Sequence, residues 1–201
     1  MKSLGLTGGI GMGKSACAEL LRARRIPVID TDDLAHRLVE PGQPALAQIQ
    51  SVFGSDIVAP DGILRRGELA RRIFSDPTAR KQLEEILHPR IRELWRAQVR
   101  TWQVEGQRFA VVVIPLLFET GAEKELDATI CVACSAATQQ ERLLARGWNP
   151  DAIQQRIAAQ LPVEKKISVS TFLIWTEGDM DLHGAQLDRI LNNLGQSTGH
   201  E

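Results

Sequence analysis

The chain has 201 residues, of which 43% are hydrophobic, and its 24 Lys and Arg residues nearly balance 25 Asp and Glu residues, giving a formal net charge of -1. This composition excludes an intrinsically disordered chain, and it argues against a dedicated nucleic-acid binder, which carries a large basic surplus. The longest apolar run, residues 109–118, is shorter than the roughly 20 residues that cross a bilayer. We therefore expect a cytoplasmic, soluble protein with no membrane partner.

Five short apolar runs along the chain have the length and composition of buried β-strands. They are Ser3–Thr7, Ile26–Asp30, Phe109–Ile114, Ala128–Cys134 and Thr171–Trp175. Helical stretches separate most of these runs, and the alternation predicts a parallel sheet with helices on both faces. The predicted fold class is therefore α/β.

A glycine-rich segment between the first strand and the first helix fits the phosphate-loop pattern G-x-x-x-x-G-K-[ST], which begins at Gly8. Backbone N–H groups of such a loop, and of the helix N-terminus after it, bind phosphate oxygens. Lys14 is expected to contact the β- and γ-phosphates, and the Ser15 hydroxyl to ligate Mg²⁺. The sequence thus predicts ATP and Mg²⁺ as ligands, with Ser15 as the metal ligand. The residues predicted to bind the nucleotide are Gly9, Ile10, Gly11, Met12, Gly13, Lys14, Ser15 and Ala16.

Two other functions fit parts of the same sequence. Residues 11–16 also satisfy the dinucleotide pattern G-x-G-x-x-[GA], and Asp30 ends the next strand, as in an NAD(P)-dependent oxidoreductase. However, Gly8, Gly9 and Ile10 separate this pattern from the strand, and it leaves Lys14 unexplained. The other alternative is an ATPase or GTPase switch without a small-molecule acceptor, although the guanine-recognition pattern N-K-x-D does not occur.

Carboxylates follow the second predicted strand, at the edge of the sheet where α/β proteins bind ligands. Asp30, Asp32 and Asp33 stand in this short segment. A small-molecule kinase needs a base beside the acceptor hydroxyl, and we expect Asp32 to supply it. Thr31 or Asp33 is expected to cap the helix predicted over residues 34–39.

Two long excursions interrupt the alternation of strands and helices. Residues 37–104 have helical periodicity and form one predicted insertion, and residues 136–166 form a second. The remaining residues, 1–36, 105–135 and 167–201, form the predicted nucleotide-binding core. Residues 62–108 contain 11 Lys and Arg against 6 Asp and Glu, and residues 137–166 contain 5 against 3. Both basic excursions are consistent with binding an anionic ligand.

The second excursion contains two arginines on one face of a predicted helix. Arg142 and Arg146 are four residues apart. Two guanidinium groups there are able to neutralise charge on a transferred phosphoryl group and exclude water, as a lid does. Asn149 and Pro150 fit an N-cap followed by proline at the first helical position.

Three cysteines occur in the chain, and Cys131 and Cys134 have the C-x-x-C spacing of some metal and redox sites. Both lie in a predicted buried strand, where side chains three residues apart point to opposite faces. We therefore interpret these two residues as free thiols packed in the core.

In combination, these features resemble the dephospho-coenzyme A kinases, a family of phosphate-loop kinases. The resemblance covers residues 3 to about 162 and rests on the segments LTGGIGMGKS (6–15), VIDTD (28–32), VEPG (39–42), LHP (87–89), IPLLFE (114–119) and AAQ (158–160). It implies a three-layer P-loop fold with a five-stranded parallel sheet, a helical coenzyme A domain and a lid. The implied reaction is the ATP-dependent phosphorylation of the ribose 3′-hydroxyl of dephospho-coenzyme A, the last step of coenzyme A synthesis.

The resemblance also implies roles for individual residues. Asp32 aligns with the family's proposed base, and Arg142 and Arg146 align with its lid arginines. The residues that align with acceptor contacts are Arg66, His88, Pro115, Leu116, Leu117 and Glu119. The segment 174–178 departs from the Asn-rich segment that relatives carry near the adenine, so the resemblance does not extend to the choice between ATP and GTP.

Overall fold

The computed structural model describes residues 1–196, except for the side chains of residues 74 and 75. It contains a five-stranded parallel sheet in the order β2-β3-β1-β4-β5. The strands are β1 (Lys2–Gly8), β2 (Val28–Asp30), β3 (Phe109–Val113), β4 (Ala128–Ala133) and β5 (Phe172–Trp175). All five predicted strands are confirmed, with small shifts at their ends.

Strand β3 is apolar along its whole length and β4 contains a single polar residue, Thr129, as is typical of parallel sheets that helices cover on both faces. Every residue of β3 and β4 is buried. Two helices, α1 (Lys14–Ala23) and α9 (Met180–Gln196), complete this core with side chains such as Leu21 and Leu187, both fully buried. The predicted α/β fold is confirmed.

Residues 1–29 together with residues 102–196 form one compact unit, and residues 30–101 form the other. Its helices are α2 (Thr31–Leu38), α3 (Pro44–Phe53), α4 (Arg66–Ser75) and most of α5 (Pro77–Val104). This smaller unit has a hydrophobic core of its own, in which Ile49 and Ile57 are fully buried. That residues 37–104 bind the acceptor stays a prediction.

Three helices lie between β4 and β5, in the larger unit: α6 (Ala136–Ala145), α7 (Pro150–Ala158) and α8 (Val163–Val169). The Asn149 side chain accepts a hydrogen bond from the Ala152 N–H at 2.8 Å, with Pro150 at the first position of α7. The predicted N-cap is therefore confirmed. The role of residues 136–166 as a lid stays a prediction.

The cap predicted for the helix after β2 is wrong. Asp30, not Thr31 or Asp33, is the N-cap of α2, and its Oδ1 accepts a hydrogen bond from the Asp32 N–H at 2.9 Å. The strand passes into the helix without a loop, so the last strand residue, which is still extended, occupies the capping position.

All three cysteines are buried and free. Burial raises the pKa of the Cys17 thiol to about 12 and that of Cys131 to about 11. Both thiols are therefore protonated at neutral pH. The interpretation of Cys131 and Cys134 as packed thiols is confirmed.

Candidate active site

The phosphate loop joins β1 directly to α1 in the larger unit. A Cβ atom on Gly8 would lie 2.2 Å from the carbonyl oxygen of Val132, so no larger residue fits at the end of the strand. Gly13 is the N-cap of α1, and its φ of 97° is a left-handed conformation that L side chains rarely adopt. The glycines of the pattern are therefore required by this path of the backbone.

The N-terminus of α1 has the features of an anion-binding site. It has no side-chain cap and no acidic residue in its first turn. Its first helical hydrogen bond runs from the Cys17 N–H to the Gly13 carbonyl oxygen at 3.0 Å, so the N–H groups of Ser15 and Ala16 precede the first i→i−4 hydrogen bond of the helix. Such groups, together with the helix dipole, bind phosphate oxygens.

Lys14 lies against the loop that precedes it. Its Nζ donates hydrogen bonds to the carbonyl oxygens of Gly8 and Gly9, each at 3.0 Å. The positive charge is therefore held beside the backbone that the pattern assigns to phosphate binding. Contact of Lys14 with the β- and γ-phosphates stays a prediction.

Two glutamines that the sequence analysis missed hold the loop at Ile10. Gln139 of α6 donates from Nε2 to the Ile10 carbonyl oxygen at 2.7 Å, and the Ile10 N–H donates to Gln160 Oε1 at 3.1 Å. The Met12 side chain is buried among apolar residues that include Ala133. Only Gln160 had a signal in the sequence, because it belongs to one of the segments that resemble the family.

The first predicted lid arginine contacts the connection between β5 and α9. Arg142 donates from Nη1 to Thr176 Oγ1 at 3.0 Å and from Nη2 to the Thr176 carbonyl oxygen. The Thr176 hydroxyl in turn donates to the Met12 carbonyl oxygen at 2.9 Å, so one residue links Arg142 to the phosphate loop. Arg146 is exposed at the C-cap of α6. The contact of either arginine with a phosphoryl group stays a prediction.

Glu177 joins the same connection to the start of α6, and the sequence analysis missed it. Its Oε1 accepts hydrogen bonds from the Ser135 N–H at 2.9 Å and from Thr138 Oγ1 at 2.8 Å, and its Oε2 accepts one from Trp175 Nε1 at 3.1 Å. The hydrogen bonds from Ser135 and Thr138 are the main reason that the pKa of Glu177 is lowered to about 2. The departure of residues 174–178 from the family pattern is the sequence signal that points to this residue.

The predicted acceptor segment, residues 115–119, follows β3 in the larger unit. Leu117 is fully buried and anchors the segment, whereas Pro115 and Leu116 are half-buried. Glu119 Oε1 accepts a hydrogen bond from the Leu161 N–H at 2.8 Å and forms an ion pair with Lys166 Nζ at 2.9 Å. Glu119 Oε1 therefore has two partners within the chain. That residues 115–119 contact the acceptor stays a prediction.

Three further predicted residues belong to the smaller unit. Asp32 is exposed in the first turn of α2, and Arg66 is exposed at the first position of α4. His88 is half-buried in α5, where burial lowers the pKa of its imidazole more than the nearby Glu84 raises it. The neutral imidazole is able to donate one hydrogen bond and accept another.

Comparison with known families decides among the alternatives that the sequence left open. The sequence model of the family described as "CoaE: Dephospho-CoA kinase" matches residues 2–181. The chain belongs to the dephospho-CoA kinase family. The dephospho-CoA kinase of Anaeromyxobacter dehalogenans (strain 2CP-C) is 42% identical over 200 residues, covering 99% of this chain and 95% of that protein.

Two solved structures share the fold of this chain. The crystal structure of TT1252 from Thermus thermophilus has a TM-score of 0.83 and 35% identity, and the match covers 96% of this chain and 97% of that one. The dephospho-CoA kinase from Campylobacter jejuni, with 23% identity, shares the fold with a TM-score of 0.72 over 98% of each chain.

Membership of the dephospho-CoA kinase family confirms the resemblance seen in the sequence and leaves the oxidoreductase and the nucleotide switch unsupported. A kinase of this family uses ATP, which fits the phosphate loop. Among residues 1–196, no helix is both long and apolar enough to cross a membrane. The roles of individual site residues stay predictions.

Proposed function

We propose that the chain transfers the γ-phosphoryl group of ATP to the ribose 3′-hydroxyl of dephospho-CoA, giving CoA and ADP. The observation that carries this proposal is the phosphate loop with an uncapped helix N-terminus, in a chain of the dephospho-CoA kinase family. The 3′ oxygen forms a bond to the γ-phosphorus, the bond from that phosphorus to the β–γ bridging oxygen breaks, and the hydroxyl proton passes to a base.

The larger unit supplies the groups that bind the nucleotide phosphates. N–H groups of the phosphate loop and of the first turn of α1 bind phosphate oxygens. Lys14, Arg142 and Arg146 stabilise the negative charge on the transferred group, because fixed cations in a partly dry site act more strongly than cations in water. The link from Arg142 through Thr176 to the loop supports a role for this arginine beside the phosphates.

The smaller unit supplies the proposed base. Asp32 accepts the proton of the 3′-hydroxyl, and the hydrogen bond from its own N–H to Asp30 fixes the backbone that carries it. The acceptor is contacted by the cationic Arg66 and by His88, whose lowered pKa makes it a neutral hydrogen-bonding partner. Residues 115–119 are further proposed contacts of the acceptor.

Ser15 is the proposed magnesium ligand of the chain. Its exposed position in the first turn of α1 offers one hydroxyl oxygen, and Mg²⁺ prefers oxygen ligands and usually combines one or two protein groups with phosphate oxygens and water. When bound, the ion neutralises charge on the β- and γ-phosphates.

The test is to incubate the protein with ATP, Mg²⁺ and dephospho-CoA and to separate the products by chromatography. We expect CoA and ADP in equal amounts, and an absence of CoA contradicts the proposed function. Asp32→Asn is expected to lower turnover about 100-fold or more. Asp33→Asn is the matched control, because Asp33 is the next carboxylate on the same helix and is also exposed. Near-normal turnover by Asp32→Asn shows that the base is another group.

A further inference from the structure

Lys166, in α8, is fully buried, although lysine is almost never fully buried without a partner. Its Nζ donates a hydrogen bond to the Pro115 carbonyl oxygen at 2.6 Å and pairs with Glu119 Oε1 at 2.9 Å. Both partners belong to residues 115–119, which the proposed function places beside the acceptor. One buried cation therefore holds this segment at both of its ends.

The carboxylate of Glu119 also contacts the segment between α7 and α8. Glu119 Oε1, which pairs with Lys166, also accepts a hydrogen bond from the Leu161 N–H at 2.8 Å. The preceding residue, Gln160, accepts the Ile10 N–H of the phosphate loop. Residues 160–166 therefore contact the phosphate loop on one side and the acceptor segment on the other.

Stability alone does not explain a charge at this position. Removing the Lys166 charge from water costs about as much as its attraction to the exposed Glu119 returns, and apolar side chains of similar volume often stabilise a core equally well. A lysine differs from them in that it fixes two oxygen atoms at hydrogen-bonding distance, one on the backbone and one on a side chain. The segment is thereby held in one defined place.

We propose that Lys166 is a positioning residue for the acceptor, acting through the Pro115 carbonyl and the Glu119 carboxylate. Glu119 consequently serves to orient residues 115–119 rather than to bind the substrate through Oε1. This inference rests on the proposed function, because it concerns the binding of dephospho-CoA.

The test compares Lys166→Met with Lys165→Met, which removes the neighbouring exposed lysine by the same substitution. Lys166→Met is expected to raise the KM for dephospho-CoA about tenfold or more, in line with the loss of one hydrogen bond to a charged group. The dissociation constant of ATP, measured by calorimetry, is expected to change less than about twofold. Lys165→Met keeps wild-type values.

A second variant separates positioning from stability. Lys166→Met leaves Glu119 without its cation, and Glu119→Gln in the same chain removes that unpaired charge. We expect the double variant to have a higher melting temperature than Lys166→Met and still to have the raised KM. If Lys166→Met does not fold, the double variant takes its place in the comparison of KM values.

The outcomes distinguish the two proposals. If the wild type is active and the KM for dephospho-CoA is unchanged in Lys166→Met or in the double variant, the positioning role is overturned and the proposed function is not. A KM that returns to the wild-type value when stability is restored also overturns it, because the effect is then one of folding. A wild type that forms no CoA overturns the proposed function and, with it, this inference.

Discussion

Lys14 shows how one side chain serves both the structure of the loop and the proposed reaction. Its two hydrogen bonds to the Gly8 and Gly9 carbonyl oxygens are of the charge-assisted type. Each such bond contributes about 1.5–3 kcal/mol. A cation that the protein already holds beside the loop needs little rearrangement to stabilise charge on a phosphate, and this is the basis of electrostatic preorganisation.

Lys14→Met keeps most of the length of the unbranched side chain and removes its charge. We expect turnover of dephospho-CoA to fall about 100-fold or more, because a fixed cation beside the transferred phosphoryl group is lost. CoA formation under saturating ATP is the measurement, and Lys124→Met, at an exposed lysine outside the loop, is the control. Turnover within about tenfold of the wild type contradicts the role of Lys14.

At the scale of elements, Glu177 fastens the connection between β5 and α9 to the N-terminus of α6. Its carboxylate accepts the N–H of the N-cap residue Ser135 and the hydroxyl of Thr138 in the first turn. A negative charge at a helix N-terminus is also favoured by the helix dipole. The same connection carries Thr176, which contacts both Arg142 and the phosphate loop.

The lowered pKa of Glu177 makes stability depend on pH in a defined range. Because the pKa falls from 4.5 to about 2 on folding, the unfolded chain binds more protons between these values. The contribution of Glu177 is therefore complete above about pH 4.5 and is lost as the pH falls towards 2. The difference in melting temperature between the wild type and Glu177→Gln is expected to shrink over that range.

Circular dichroism melts across this pH range test the prediction. Glu141→Gln, at an exposed glutamate of α6, is the control and is expected to match the wild type at each pH. A difference between wild type and Glu177→Gln that stays constant with pH shows that the carboxylate charge does not stabilise the fold.

The elements and the phosphate loop could be predicted because their signals are local. An uninterrupted apolar run predicts a buried strand, and the order of glycines before Lys14 predicts the loop. The cap of α2 was predicted wrongly, because a capping residue depends on where the backbone leaves the sheet. That point lies at Asp30 and has no signature in the sequence.

The hydrogen-bonding side chains around the candidate site were missed for a different reason. Glu177 contacts Ser135 across 42 residues of chain, and Lys166 contacts Pro115 across 51. Neither pair has a characteristic spacing, because the sheet brings the partners together. An isolated Glu or Lys in the sequence is most often a solvated surface residue, so the sequence does not identify the partners of these two side chains.

At the scale of the whole molecule, each of the two compact units has a hydrophobic core of its own. One contains the sheet with Leu21 of α1, and the other contains Ile49 in the smaller unit. Proteins open locally in units that share a core. We therefore expect a core mutation to lower the stability of its own unit first.

Ile49→Ala is expected to destabilise the smaller unit by about 2–5 kcal/mol, because it leaves a cavity at a fully buried position. Hydrogen exchange followed by mass spectrometry is expected to show faster exchange in α2, α3 and α4, with β1 and β4 still protected. Leu21→Ala is the reciprocal variant and is expected to affect the sheet. Faster exchange throughout the chain in both variants contradicts the existence of two cooperative units.

The direct passage from β2 into α2 has a consequence for how this chain can vary. Because Asp30 ends the strand and also caps the helix, no loop residue separates the sheet from Asp32. One inserted residue between Asp30 and Asp32 would turn the carboxylate by about 100° around the helix axis, since an α-helix has about 3.6 residues per turn. The number of residues between the sheet and the proposed base is thus as important for the reaction as the type of residue that acts as the base. An insertion scan should find this junction intolerant even where single substitutions are accepted.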